Sequence, residues 1–191
     1  MKTLLLASVA ALGLSSAANA EAVPYVFDAS HSQIVFEYNH LGFSNTIGVF
    51  SGFDGNIQFD EEDPAASSVE VSFPTDSLYT GWDERTAHFL SGDFFGAEEN
   101  PTISFVSTAI EVTGENTGVI TGDLTLNGIT KPVSLDAVLN QKGDHPMAGK
   151  AWLGFDATTT VLRSEFDMGM FTPFVADEVA VSISIEAMRA E

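Results

Sequence analysis

The sequence predicts an all-β fold, an eight-stranded antiparallel barrel with a short helix in one long connection. Three observations carry this. Apolar residues recur with a period of two in eight segments between residues 34 and 185, the mark of strands with one buried face. Turn-forming clusters separate the segments, and eight alternating strands in one domain suggest closure, because a closed barrel leaves no edge exposed. Beyond the first twenty residues, no apolar stretch approaches the roughly 20 residues that a helical span requires.

Residues 1–20 read as a secretory signal. Lys2 is the only charge before the apolar run from Leu4 to Leu14, and the run closes on Ala18-Asn19-Ala20, a small-x-small cleavage pattern. The run is too short to span a bilayer. The expectation is cleavage after Ala20, leaving residues 21–191 as a single domain. In that domain Ile34, Phe36, Tyr38 and His40 share one face of the first strand. Ile47, Val49, Ser51, Phe53, Gly55, Ile57 and Phe59 share one face of a long second strand, with Phe50 off the pattern. Val69/Val71/Phe73 and a less regular run over 102–112 make the third and fourth. Ile120/Leu124/Leu126, Val133/Leu135/Ala137/Leu139, Leu153/Phe155/Ala157 and Val179/Val181/Ile183/Ile185 complete the set.

The turns follow from local chemistry. Asp60-Glu61-Glu62-Asp63-Pro64, Gly114-Glu115-Asn116 and Gly143-Asp144-His145-Pro146 are turn clusters, and Asn127-Gly128 between Leu126 and Ile129 is the sharpest hairpin signal. Two connections are long. Residues 76–100 hold a short helix over 83–90 with Asp83 as its cap; residues 160–177 form the other. In a simple meander, alternate connections fall at alternate ends. The loop at 41–46, both long connections and the Asn127-Gly128 turn then gather at one end, and the acidic 60–63 run lies at the other.

Composition excludes several functions. Lys and Arg number 7 against 27 Asp and Glu, and losing Lys2 with the signal takes the formal charge from −20 to −21. Such a surface repels phosphate backbones and anionic lipid, which sets aside nucleic-acid partners and membrane binding by charge. The absence of cysteine rules out disulfides, cysteine nucleophiles and thiolate metal sites. His31, His40, His88 and His145 stand in no metal-ligand spacing, and each reads first as a turn, cap or strand-end group. Asp54-x-Asn56-x-Gln58 opens like a calcium loop, but Phe59 stands where its glycine belongs and no Glu follows at the twelfth position. With no nucleophile elbow, phosphate loop or dinucleotide fingerprint, the residues predict no enzyme, no cofactor and no metal. An outer-membrane barrel is an alternative, yet its lipid-facing wall would have to carry Glu37, Asp54, Gln58, Glu70, Asp136 and Glu186. An enzyme or stress-response protein on the same barrel is another, since fold does not fix function.

Four strings in order also carry a family resemblance. His31-Ser32-x-Ile34-x-Phe36-x-x-x-His40-Leu41-Gly42-Phe43-Ser44 with Gly48-x-Phe50 resembles the opening of the YceI-like family. Arg85-x-x-His88-Phe89-Leu90-Ser91-x-Asp93-Phe94-Phe95, the run from Gly122 to Pro132, and Arg163-Ser164-x-Phe166 are similar to its later motifs. Asp167 stands where members often carry Gly. The resemblance implies an extended lipocalin-like barrel, exported to the periplasm, that binds a polyisoprenoid-type lipid or quinone-type ligand in its interior. It leaves the oligomeric state open, a homodimer included.

Period two places Ile34, Phe36, Tyr38, Phe53, Phe59, Phe105, Leu135 and Phe155 on inward positions, the expected apolar lining, and Phe89 of the short helix is expected to pack the first prenyl unit. A hydrocarbon chain needs continuous apolar lining and no polar motif, at roughly 25 cal/mol per Å² of apolar surface buried. For a polar head group, Arg85, His88 and Arg163 at the long-loop end are the expected donors. The competing expectation pairs each arginine with local acids, Asp83, Glu84, Glu165 and Asp167.

Overall fold

The computed structural model describes residues 21–191, so the expected signal sequence lies outside the described residues. The strands are β1 (Val23–Phe27), β2 (Gln33–His40), β3 (Ser44–Phe50), β4 (Asp54–Phe59), β5 (Ser68–Pro74), β6 (Thr102–Val112), β7 (Thr117–Leu126), β8 (Ile129–Asp144), β9 (Ala151–Leu162) and β10 (Glu178–Arg189), with one α-helix, α1 (Asp83–Leu90). All ten belong to one antiparallel sheet that closes through β1 and β10.

The barrel nevertheless has eight staves, because the first two are each broken in the middle. β10 pairs with β2 along its first half, Ala180 opposite Glu37 to Ser184 opposite Gln33. It pairs with β1 at its end, from Ala187 opposite Phe27 to Arg189 opposite Tyr25. β3 follows β2 and β4 follows β1 in the same way. From β5 to β10 each strand pairs with the next, so the order is a meander. The turn after β2, both long connections and the Asn127-Gly128 turn lie at one end, and residues 60–67, 113–116 and 145–150 at the other. Asn127 and Gly128 have φ of 50° and 71°, the two left-handed positions that match a tight hairpin to the twist of its strands.

The structure corrects the sequence reading in three places. β1 is an additional strand: its five residues include Pro24, and they are too few to show a period. The expected single strand over 47–59 is two strands, and the break at 51–53 reverses which side chains point inward. Ile47 is therefore 51% exposed on the outer face, whereas Phe50 is buried. At the helix, Trp82 occupies the N-cap and Asp83 is the first helical residue, with no side-chain cap. Thr80 Oγ1 donates to the Trp82 carbonyl oxygen (3.1 Å), a bond to the N-cap's acceptor and not to a first-turn N–H.

Two bulges act like the break. β6 slips between Ser107 and Ala109, so Ile103 and Phe105 point inward before it and Ile110 and Val112 after it. β8 slips between Leu139 and Gln141, which turns Lys142 to the inside. A one-residue slip moves every later side chain to the opposite face.

The inner wall divides by chemistry. Rings from β1 to β5 form one linked cluster: Phe27–Phe53 (6.3 Å), Phe53–Phe73 (5.3 Å), Phe50–Phe73 (5.4 Å) and Phe36–Phe50 (5.8 Å). β7, β8 and β10 contain no aromatic residue, so the wall opposite is mostly aliphatic, with Leu124, Leu139, Val181 and Ile185 facing inward and Phe155 of β9 the ring among them, 6.3 Å from Phe59.

Candidate functional site

Between these walls lies a cavity of about 800 Å³, within the roughly 300–1,000 Å³ of small-molecule sites. All nine apolar residues singled out from the sequence and all three polar ones border it. Phe36, Phe53 and Phe105 are buried in the wall, whereas Ile34, Tyr38, Phe59, Leu135 and Phe155 keep accessible surface toward the open space. Phe89 reaches the wall from α1, its ring 6.1 Å from that of Tyr38 and 5.3 Å from Phe94.

Several lining residues escaped the sequence reading. Trp82, Met170 and Phe171 border the cavity from the long connections, where no period marks a side chain's direction. Phe94 and Phe95 do the same from the chain after α1; Phe95 lies 5.4 Å from Phe50. At the opposite end Lys142 and Glu61 both border the cavity and pair with each other. Only the bulge in β8 brings Lys142 inward, and a period cannot show a bulge.

The three expected donors have different surroundings. Arg85 gives one hydrogen bond from Nη2 to the Thr80 carbonyl oxygen (2.6 Å), while its Nε–H is buried with no partner. Neither Asp83 nor Glu84 forms an ion pair with it among the described residues. His88 is about half exposed, 3.4 Å from Asp93 Oδ2, and meets the Phe94 ring edge-on at 5.1 Å.

Arg163 is placed differently. It is 7% exposed, and its guanidinium donates to the carbonyl oxygens of Ala176 (2.8 Å), Met170 (2.8 Å), Val175 (3.0 Å) and Met168. Burial lowers its pKa from the ordinary arginine value, opposed by Asp177 and Tyr38. Four of its five N–H groups are thus spent on the 163–177 loop. It serves as the pin of that loop and keeps one N–H beside the cavity, and among the described residues it forms no ion pair with Glu165 or Asp167. Asp177 turns instead to Ser164, accepting from its backbone N–H and its hydroxyl (2.8 and 2.6 Å).

Outside the cavity, Asp28, His31 and Glu186 meet where the first stave breaks. His31 Nδ1 lies 2.7 Å from Asp28 Oδ2, and Trp152 Nε1 donates to Glu186 (2.8 Å). The hydrogen bond to His31 holds the Asp28 carboxyl below its usual range, and the same bond raises His31. These contacts account for the trio without an ion.

A family model for the YceI-like domain matches residues 25–187, nearly the whole barrel. The chain belongs to the YceI-like family. A UPF0312 protein of Pseudomonas aeruginosa is 39% identical over 188 residues, spanning 95% of this chain and 97% of its own. Among solved structures, Burkholderia cenocepacia BcnA is similar at TM-score 0.75 and 26% identity, over 84% of this chain and 98% of that one. A polyisoprenoid binding domain from Saccharophagus degradans has the same fold at TM-score 0.68 and 12% identity, over 88% of this chain and 99% of its own. The YceI-like strings seen in the sequence now have positions. The first covers β2, β3 and the turn between them, the second α1 and the chain after it, the third the hairpin turn, and the fourth the loop pinned by Arg163.

Proposed function

We propose that this protein binds an isoprenoid lipid, a polyprenyl chain, prenyl phosphate or quinone, inside its barrel and stores or carries it in the periplasm. The observation that carries the reading is the polarity of the wall. Inward positions are predominantly apolar, with Thr46, Thr159 and Lys142 among the few polar ones, and several keep accessible surface toward the cavity, while Glu37, Asp54, Glu70 and Asp136 are exposed on the outside. An outer-membrane barrel requires the reverse arrangement. The apolar cavity supplies binding by burial, and a hydrocarbon chain asks for no more. The polyisoprenoid binding domain of the same fold supports the reading.

A polar head group belongs at the long-loop end. Arg85 has a buried N–H there without a partner, and His88 stands one helical turn away, whereas Lys142 at the other end is neutralised by Glu61. Export rests on the signal read in residues 1–20. Protein released from cells by osmotic shock should begin at Glu21 and, after organic extraction, yield an isoprenoid lipid by mass spectrometry in near-equimolar amount. Fatty acids alone, or protein free of lipid, would refute the ligand class. Recovery in the membrane pellet would refute the location.

A further inference from the structure

The rim of the barrel at the long-loop end differs from the rest of the surface. Among the described residues, five Phe, Tyr or Trp side chains are exposed: Phe43 (90%), Phe174 (77%), Tyr79 (65%), Trp82 (59%) and Phe171 (55%). All five belong to the turn after β2 or to the two long connections, and Leu41 joins them; Tyr79, bridged to Val49 near the far end of β3, lies lower on the outer wall than the other four. The segments are also tied together. Residues 40 and 175 form a backbone bridge, as do residues 49 and 79, and the Ala176 N–H donates to the Asn39 carbonyl oxygen (3.0 Å).

Charge is distributed to match. In a chain with 27 Asp and Glu, residues 41–53, 77–82 and 168–176 contain none, and no Lys or Arg either. Those three stretches carry all five rings. The opposite end holds Asp60, Glu61, Glu62, Asp63, Glu115 and Asp144. Asp83, Glu84, Glu165 and Asp167 flank the rim, so a negatively charged surface would be repelled. A neutral lipid interface would not be; Trp and Tyr rings favour that boundary, and Phe rings insert just beneath it.

We infer that the rim docks on the surface of a bilayer of neutral, zwitterionic lipid, and that the ligand passes directly between bilayer and barrel. This rests on the lipid-binding reading. Trp82 and Phe171 are at once exposed on the rim and part of the cavity lining, so the surface to be covered is also the mouth of the cavity. A water-insoluble chain that enters there moves from one apolar phase to another without crossing water, and a bilayer supplies both cover and ligand.

Phe43→Ser with Phe174→Ser tests this, because both side chains are largely exposed and neither borders the cavity. The purified protein should float with vesicles of phosphatidylcholine and phosphatidylethanolamine, less with phosphatidylglycerol added, and should take a fluorescent polyprenol from the neutral vesicles. The double variant should float and take up the probe about tenfold less well, yet bind the same polyprenol from detergent with the parent's affinity. Trp82 emission, isolated in a Trp152→Phe background, should shift to the blue when neutral vesicles are added. Uptake by the double variant at the parent's rate would overturn the inference. So would stronger flotation with phosphatidylglycerol, or a parent dimer that the double variant dissociates, which would make a second copy the occupant. Failure of the parent to bind polyprenol from detergent would instead defeat the lipid-binding reading. Flotation is measured without polyprenol, so the two failures are distinguishable.

Discussion

Phe36 lies across the β2–β3 pair directly opposite Gly48, and its ring covers the glycine so closely that a β-carbon there would sit 2.2 Å from Cζ. The ring is held from its other sides by Phe50 and Phe95, at 5.8 and 6.4 Å. Gly48→Ala should therefore drive Phe36 toward the cavity and destabilise the protein by about 1–3 kcal/mol, the range for overpacking. Denaturant unfolding measures this, and Phe36→Leu in the same chain should recover part of the loss. A second residue-scale expectation concerns His31. Its folded-state pKa is raised by Asp28, so its contribution to stability is complete below the ordinary histidine value of about 6.5 and vanishes as pH rises through the raised one. Asp28 is lowered, so its contribution is present above the usual carboxylate range and is lost as pH falls through the depressed value. His31→Ala should consequently lower the melting temperature most near pH 5–6 and least above pH 9, at about those values. A melting temperature lowered equally at both would assign His31 a packing role alone.

At the scale of elements, the two arginines separate. Arg163 holds the 163–177 loop through four carbonyl oxygens, so Arg163→Gln should cost about 2–4 kcal/mol and loosen the loop, seen as faster amide exchange over 168–176. Arg85 holds little, so Arg85→Gln should fold as the parent does while affinity for a prenyl pyrophosphate falls about ten- to a hundredfold, measured by titration. Equal affinity would mean that the barrel grips hydrocarbon only. The same pair shows what a sequence conveys. Both arginines stand among acids in long connections and look alike, and only the loop's backbone path tells which one is consumed. Strands from β5 to β10 were legible because half-burial imposes a period of two. Phe50 was the visible sign that the second stave is broken, since a buried ring out of phase marks a change of face rather than an exception. The bulge in β6 showed only as an irregular run and that in β8 left no sign, and Trp82, Phe94 and Phe171 sit where the backbone has no period.

At the scale of the whole molecule, the barrel folds around space. Fully buried large side chains are few, Phe166 and Leu153 among them, and much of the inner wall stays accessible to the cavity. Filling that space should stabilise the fold by mass action, by about 2.7 kcal/mol at a hundredfold excess of free ligand over Kd. Lipid-stripped protein should accordingly melt at a lower temperature than protein as isolated, and added polyprenol should restore it; identical melting curves would show that the isolated protein carries no ligand. The way the barrel shuts has a separate consequence, in time rather than energy. Tyr25 meets Arg189 and Phe27 meets Ala187, so the first stave waits for the last strand to be made before the ring is complete. Sequence-distant pairing of this kind is slow to form. Until β10 arrives, β9 on one side and β1 with β2 on the other are open edges, ready to pair with any neighbouring chain. The last twelve-residue strand thus separates a self-contained ring from an adhesive sheet, and a chain held unfolded until it is fully delivered would be spared that choice.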